Sequence, residues 1–394
     1  MWPKVTIKKG RGEPFFFGHP WVFAGAVARA EHGASDGEVV MVTDWQGRFI
    51  GYGLYNSRSN IRVRMISWRE SEPPGTQLIE ARLEEALRLR REILNENETN
   101  ALRLVNSEGD FLPGLIVDRY GEFLVVQFLS LGMLQFEEVI LEFFEARLSP
   151  RGLFGRFEAV RESEGIERKD GSLRGEIPPE EIAIKENNLR FHVDVVRGQK
   201  TGFYLDQRAN RLSVSRYLTG RSVLDCFSYT GAFSIYASAK GGASEVLGIE
   251  SSAGAIHLAT RNAQANALEN VSFLKADARE ELESLRRKGR KFGAVILDPP
   301  NLAPTRLSLG KALVLYRKLN GGAMSVLEKD GLLVSCTCSG HLGAEMLLRT
   351  INEAACAEGR KVKVLEKRGA GPDHPVASTC PEGEYLKCLI CVVD

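Results

Sequence analysis

The 394-residue sequence contains no long hydrophobic run. Every apolar stretch falls short of the roughly 20 residues that a membrane-spanning helix requires, so no transmembrane segment is expected. Residues Met1 to Lys9 lack the apolar core of a signal peptide, and a cytoplasmic location is the resulting expectation. Cysteine is scarce and odd in number, seven in all, with spacings that match no disulfide framework. Neither sign of charge dominates: 52 Lys and Arg face 51 Asp and Glu, so bulk charge points to no nucleic-acid partner. Internal repeats and low-complexity tracts are missing too, which argues against a solenoid or a disordered chain.

What is there is an ordinary globular composition, 43% hydrophobic and 26% charged, in a chain long enough for two or three domains. The charge is unevenly placed. Residues 1–69 hold ten Lys or Arg against five Asp or Glu, so the front end is basic. Within it Val39 to Val42, Phe49 to Tyr55 and Ile61 to Ile66 read as short strands broken by glycine, the pattern of a small β-barrel. Ser71-Glu72-Pro73-Pro74-Gly75 marks a boundary near residue 72, and Gln77 to Asn95 carries leucines at helical spacing. Leu102 to Asn188 reads as a small α+β module. It holds a hairpin of Leu115 to Asp118 and Phe123 to Phe128, a helix from Phe136 to Leu148, and a charged loop from Arg161 to Arg174. After Phe191, strand and helix alternate. Ser222 to Leu224, Glu245 to Ile249, Val271 to Leu274, Ala294 to Leu297 and Leu332 to Ser335 are the predicted strands of a doubly wound parallel sheet. The expected division is 1–70, 71–190 and 191–394.

In such a sheet the ligand lies over the carboxyl ends of the strands, and the residues there are acidic in order: Asp225, Glu250, Asp277 and Asp298. Glu250 stands where an acidic residue on the second strand takes ribose hydroxyls. The first turn, Asp225-Cys226-Phe227-Ser228-Tyr229-Thr230-Gly231, has one glycine and no lysine, so it is neither a dinucleotide fingerprint nor a phosphate-cradling loop. A nucleoside without phosphates fits better, and S-adenosylmethionine is one. The turn with Ser228, Thr230 and Gly231 would face its methionine end, Glu250 its ribose, and Asp277 with Ala278 its adenine. Helix capping is the plain alternative for any one of these carboxylates.

Asp298-Pro299-Pro300 resembles the motif with which class I methyltransferases hold a planar nitrogenous group. Cys336-Thr337-Cys338 follows the next strand and so falls beside Asp298. Cysteine is what C5 methylation of cytosine needs: a thiolate adding to C6 makes C5 nucleophilic, and the thiolate needs a nearby positive charge or helix N-terminus. The competing reading is a small buried apolar residue. Zinc is disfavoured because Cys336 and Cys338 lack a second matched pair, though Cys380, Cys388 and Cys391 stay open.

Six stretches together resemble the large-subunit ribosomal RNA cytosine-C5 methyltransferases: "GHPWVFAGAV" (Gly18–Val27), "QKTGFYLDQRANR" (Gln199–Arg211), "VLDCFSYTGAFS" (Val223–Ser234), "DPPN" (Asp298–Asn301), "SCTCSG" (Ser335–Gly340) and "DHPVASTCPEGEYLK" (Asp373–Lys387). The resemblance implies a PUA-like RNA-binding domain at 1–70, a central α+β domain, and a Rossmann-like class I methyltransferase domain. It implies Cys338 as nucleophile, Cys336 as accessory, and Gln199 to Arg211 as a lid strand and helix with Phe203 and Gln207 near the methionine moiety. The partner implied is 23S rRNA or a large-subunit precursor particle; monomer and homodimer both stay open. His19, Trp21, Arg62, Arg64 and Arg208 are candidate RNA contacts, with Trp21 also readable as core and Arg208 and Arg211 as a solvated helix face. The sequence departs from better-known RNA cytosine-C5 enzymes in placing Pro300, followed by Asn301, where they carry cysteine, and Asn301 stands where some relatives have lysine, so the base that removes the C5 proton is unassigned. Methylation of a ring or exocyclic nitrogen and a non-catalytic RNA-binding assembly factor are the alternative functions.

Overall fold

The computed structural model describes residues 2–158, 161–198 and 202–394. Gln199 to Thr201, the start of the expected lid, lie outside the described residues. The chain divides into two compact units, one formed by 1–187, 193–205 and 372–383, the other by 188–192, 206–371 and 384–394.

The first unit opens with a six-stranded mixed sheet. Its strands are β1 (Lys4–Ile7), β2 (Trp21–Phe23), β3 (Val27–Ala30), β4 (Val39–Thr43), β5 (Phe49–Tyr55) and β6 (Ile61–Ser67), in the order β2-β6-β5-β4-β1-β3, and a short helix α1 (Glu13–Phe16) follows β1. Alternating residues of these strands, among them Val5, Val22, Val40, Val42, Val63 and Met65, make one core. The other faces of β5 and β6 supply Tyr52, Leu54 and Ile66 to a second core, shared with Leu83 of α2 (Thr76–Ile93), Leu104 of β7 (Ala101–Asn106) and Phe128 of β9. There β8 (Leu115–Tyr120), β9 (Phe123–Phe128), β10 (Gly152–Gly155) and β11 (Gly171–Gly175) continue the sheet from β7, backed by α3 (Glu137–Leu148). The segment 161–174, expected as loop, instead contains α4 (Arg161–Glu164) and most of β11. Glycine makes that edge pairing feasible: Gly152 faces Gly175, and a Cβ on Gly152 would stand 2.0 Å from the Glu176 carbonyl. A further strand, β12 (Ile182–Glu186), precedes the crossing to the second unit.

One interaction set ties distant parts of the first unit together. The Arg90 guanidinium, 2% exposed, bonds both carboxylate oxygens of Asp110 at 2.5 and 2.8 Å and the Asp373 carbonyl at 2.8 Å. The Asp373 carboxylate accepts from the Arg103 amide at 3.1 Å. Residues 372–383 are therefore part of this unit's interior.

The second unit begins at β13 (Leu189–Val193) and is built on a seven-stranded sheet. Its strands are β14 (Ser222–Cys226), β15 (Glu245–Glu250), β16 (Val271–Lys275), β17 (Phe292–Leu297), β18 (Leu327–Thr337), β19 (Val362–Arg368) and β20 (Lys387–Val393), in the order β16-β15-β14-β17-β18-β20-β19. β14 to β18 are parallel, as expected from the regular alternation of strand and helix. β20 enters antiparallel between β18 and β19. One face packs Leu224, Val295 and Leu333 against α8 (Ala278–Arg287), α9 (Leu309–Ser325) and α10 (Ala344–Ala357). The other packs Val223, Ala294 and Val334 against α5 (Arg208–Ser215) and α6 (Ala232–Ala239). α7 (Ala253–Ala265) follows β15, and its Asn262 bonds the β13 backbone at His192 and the Thr230 carbonyl. β14 pairs with both β15 and β17, so the strand order reverses there and opens a crevice at the carboxyl ends. No described helix is long and apolar enough to cross a membrane.

Candidate active site

Asp225, Glu250 and Asp298 all stand at that crevice, at the ends of β14, β15 and β17. The turn after β14 is tightly held: the Ser228 amide donates to the Ile249 carbonyl (3.0 Å) and the Tyr229 amide to Glu250 Oε2 (3.1 Å). Glu250 thus fixes the turn, while Oε1 accepts from the Ser252 amide at 2.8 Å. Phe227 and Tyr229 take left-handed backbone conformations at φ 64° and 48°, unusual for aromatic residues, and the turn ends on Gly231 at φ 80°.

Among the described residues, three buried polar atoms of this turn have no partner: Asp225 Oδ1, Ser228 Oγ and Thr230 Oγ1. Asp225 Oδ2 accepts from Ser234 at 2.7 Å. Buried orphans concentrated in one loop call for partners from outside the chain, either ordered water or a ligand. Burial, aided by the charges of Asp298 and Glu250 and opposed by the Ser234 hydrogen bond, pushes the Asp225 carboxyl up to about 7. A cationic ligand would restore its charge. These features suit S-adenosylmethionine, whose methionine end carries both hydrogen-bonding groups and a positive sulfonium. Asp277 caps α8 through the amides of Arg279 and Glu280, and Arg279 holds its carboxyl below the usual range. Capping is its observed role, with Ala278 buried behind it.

Asp298 follows β17 and accepts from Gln207 Nε2 at 3.0 Å. Gln207 in turn accepts from Asn210 at 2.6 Å, and Asn210 bonds Arg368 and the Gly369 carbonyl. The α5 end of the expected lid therefore does reach the site, through Gln207. Phe203 is buried in the first unit, where its carbonyl accepts from the Tyr120 hydroxyl at 3.3 Å.

The two thiols of the Cys336-Thr337-Cys338 run differ sharply. Cys336 is fully buried and faces Cys388 across β18 and β20; that contact and burial push its thiol well above its ordinary range. β18 ends at Thr337, so Cys338 opens the loop and is partly exposed. Its neighbours are anchored. Thr337 Oγ1 accepts from the Ser339 amide (3.3 Å), Ser339 Oγ donates to the Ala303 carbonyl (2.8 Å), and the Ser339 carbonyl accepts from Lys387 Nζ (3.4 Å). Tyr316 of α9 turns its buried hydroxyl toward Thr337 without forming a full hydrogen bond. Sequence reasoning gave no role to Tyr316, which stands in no motif, or to Lys387, which ends the stretch Asp373–Lys387 without a spacing that signals chemistry.

The basic front end also looks different in three dimensions. Arg64 is paired with Glu108 (3.2 Å) and Glu164 (3.3 Å), and its side chain is only 12% exposed, so it serves the interior rather than a phosphate. Trp21 is half-buried and donates to Glu108 at 2.8 Å. Arg208 and Arg211 are buried, Arg211 over the Tyr236 ring, so neither makes the solvated face that charge alone suggested. Arg62 remains partly exposed. The exposed Phe16, Phe17, Phe23 and Trp45 went unnoticed in sequence because strand patterning treats aromatics as core. Lys9 lies over Trp45 and Arg48 over Phe16. His19, Cys380 and Glu382 bring three ligand-type atoms within 4.8 Å. His19 Nδ1 accepts from the Trp21 amide at 3.1 Å, which leaves Nε2 protonated and directed at Glu382, 3.3 Å away. Burial, with Glu108 and Glu382 nearby, pushes the Cys380 thiol up to about 12, and it shares a hydrogen-bonded cluster with Glu382.

The chain resembles known proteins along its whole length. The S-adenosylmethionine-dependent methyltransferase family matches residues 167–385, and a PUA-like domain matches residues 5–68. Ribosomal RNA large subunit methyltransferase I from Escherichia coli strains SMS-3-5 and K12 is 36% identical over 393 residues, covering 99% of both chains. Among solved structures, a SAM-dependent methyltransferase from Streptococcus mutans superposes with a TM-score of 0.86 at 21% identity over 99% of each chain. Another, SMU.776 complexed with SAH, gives 0.86 at 22% over the same share. The chain belongs to the S-adenosylmethionine-dependent methyltransferases with an N-terminal PUA-like domain, the family of ribosomal RNA large subunit methyltransferase I.

Proposed function

We propose that this protein methylates C5 of a cytosine in 23S ribosomal RNA, as the free RNA or in a large-subunit precursor, with Cys338 as nucleophile. The domain division that goes with this reading is PUA-like at 1–70, central at 71–190 and methyltransferase at 191–394. The observation that carries it is the contrast between the thiols: Cys336 is buried, while Cys338 is accessible on an anchored loop after the strand next to the one bearing Asp298. S-adenosylmethionine supplies the electrophilic methyl group. Asp225, Ser228 and Thr230 would hold its methionine end, Glu250 its ribose, and the α8 terminus at Asp277 and Ala278 its adenine. The Cys338 thiolate adds to C6, and the electron pair displaced to C5 takes the methyl. A base then removes the C5 proton, C5=C6 re-forms, and the thiolate leaves. Asp298, oriented by Gln207, accepts from the exocyclic amine of the base. The front-end aromatics and Arg62 suit stacking and phosphate contacts with RNA.

RNA containing 5-fluorocytosine tests this, since fluorine cannot leave C5 as a proton. The wild type should accumulate a covalent protein–RNA adduct and Cys338→Ala should not, while both bind S-adenosylmethionine. An adduct lost in Cys336→Ala but kept in Cys338→Ala would reverse the roles. No adduct from active wild-type enzyme would favour nitrogen methylation, which the Asp298-Pro299-Pro300 turn also serves.

A further inference from the structure

The chain just beyond Asp298 has no acid at all. From Pro299 to Leu327 it carries four Lys or Arg and no Asp or Glu. All four cations, Arg306, Lys311, Arg317 and Lys318, are exposed. Arg317 reaches Glu353 of α10 at 3.8 Å, whereas among the described residues the other three form no ion pair. Lys311, Val314 and Lys318 stand at helical spacing and so share one face of α9, with Val314 45% exposed between the two lysines. Lys318 also lines a groove with Arg286 and Arg287 of α8, in which five cations face three acids.

The turn that leads into this face is rigid and carries a bare apolar tip. Thr305 and Ser308 close a capping box: the Ser308 amide donates to Thr305 Oγ1 at 3.3 Å and the Thr305 amide to Ser308 Oγ at 3.1 Å, while Ser308 Oγ donates to the Thr305 carbonyl at 2.7 Å. Between them Leu307 is 97% exposed, more than any other large apolar side chain among the described residues. A single exposed leucine is ordinary on a mobile loop, but this one is held out by a hydrogen-bonded turn between Arg306 and the lysines of α9. The root of the turn is fastened to the site. The Ala303 carbonyl accepts from Ser339 Oγ at 2.8 Å, one residue past Cys338, and Asn301 Oδ1 accepts from the Ala303 amide at 3.1 Å. The turn belongs to the connection from β17 to α9, so it lies at the same carboxyl edge of the sheet as Asp298.

Unpaired cations in an acid-free stretch match phosphates, and an apolar side chain beside a site that withdraws a base from its stack can enter the gap left behind. Resting on ribosomal RNA as the substrate, we propose that this ridge is a second RNA-docking surface. Lys311 and Lys318, about 10 Å apart along the helix, and Arg306 neutralise phosphates of the strand that flanks the target base, and Leu307 enters the stack from which that base is withdrawn.

Filter binding across salt reads the charges, and single-turnover methyl transfer at saturating RNA reads the leucine. The probe is unmodified 23S rRNA, free or in large-subunit particles, whichever the wild type methylates. Lys311→Gln combined with Lys318→Gln should flatten the logarithmic salt dependence of binding by up to about two, with S-adenosylmethionine affinity unchanged. Leu307→Ser should slow methyl transfer by about tenfold or more while RNA affinity changes by less than about threefold, and Leu307→Met should keep most of the rate. Its melting temperature should equal that of the wild type, because the side chain packs against nothing in the protein. The proposal is overturned if the double lysine variant keeps the wild-type salt slope, or if Leu307→Ser keeps the wild-type rate. It also falls if Leu307→Ser turns a wild-type dimer into monomers in sedimentation, which would assign the leucine to a second copy of the chain. Each of these results leaves the ribosomal RNA reading intact, since the wild type still binds and methylates. A wild type that does neither with either probe would sink that reading, and this one with it.

Discussion

At Asp225 the fold and the ligand make opposite demands on one carboxyl. Burial raises it to about 7, far above a carboxyl in the unfolded chain, so the native state holds this proton more tightly. Its stabilising contribution is therefore complete below about pH 4 and is lost as pH rises through about 7, where a buried anion must be tolerated. Asp225→Asn should match the wild type in thermal stability near pH 4 and exceed it increasingly toward pH 8, by something on the order of 2–4 kcal/mol. It should at the same time bind S-adenosylmethionine more weakly, because the sulfonium loses its anion. Thermal melts across pH check the first part and calorimetry the second. A difference in stability independent of pH would show that the carboxyl is not the cause.

The turn after β14 is the element on which the proposed cofactor site depends, and its geometry rests on Gly231. A Cβ there would meet the Phe273 ring at 2.7 Å, and φ is +80°. Gly231→Ala should cost about 1–3 kcal/mol and weaken cofactor binding together with it; a melting temperature and affinity equal to the wild type would mean that the turn adapts freely. This turn was readable in the sequence because it closes the first strand of a regular strand–helix alternation, which announces where each strand of a parallel sheet ends. β14 to β18 were legible for that reason, and so were the acids at their ends. β1, β2 and β3 are only three or four residues long, and β11 is an exposed edge rich in glycine and charge, so periodicity passed over them. Among site residues, a cation's type says nothing about its pairing. Arg64, Arg208 and Lys387 look alike in sequence, yet they are an internal ion pair, a buried helix residue and a clip on the loop after Cys338.

At the scale of the molecule, basic charge in residues 1–69 is the proposed RNA-docking surface, but the means of testing it changes. Tyr52, Leu54 and Ile66 share a core with Leu83 and Leu104, so removing 1–69 would strip that core as well as the charge. Substituting Lys9, Arg11 and Arg62 with glutamine is the cleaner intervention. RNA affinity should fall, and its logarithmic dependence on salt should flatten by up to about one for each phosphate that the protein no longer neutralises, with S-adenosylmethionine affinity unchanged. An unaltered salt slope in filter binding would place the docking surface elsewhere.

The involvement of residues 372–383 with Arg90 and Arg103 sets an order of events during synthesis. A ribosome making this chain finishes β1 to β12 long before it reaches Asp373, and until then Arg90 lacks one acceptor and the Arg103 amide its carboxylate. The amino-terminal unit cannot reach its final stability while the intervening 206–371 are still unmade. Nascent chains that stop early are thereby left with an incompletely consolidated front unit, and a settled front unit is reserved for chains that already carry every strand of the methyltransferase sheet but β20.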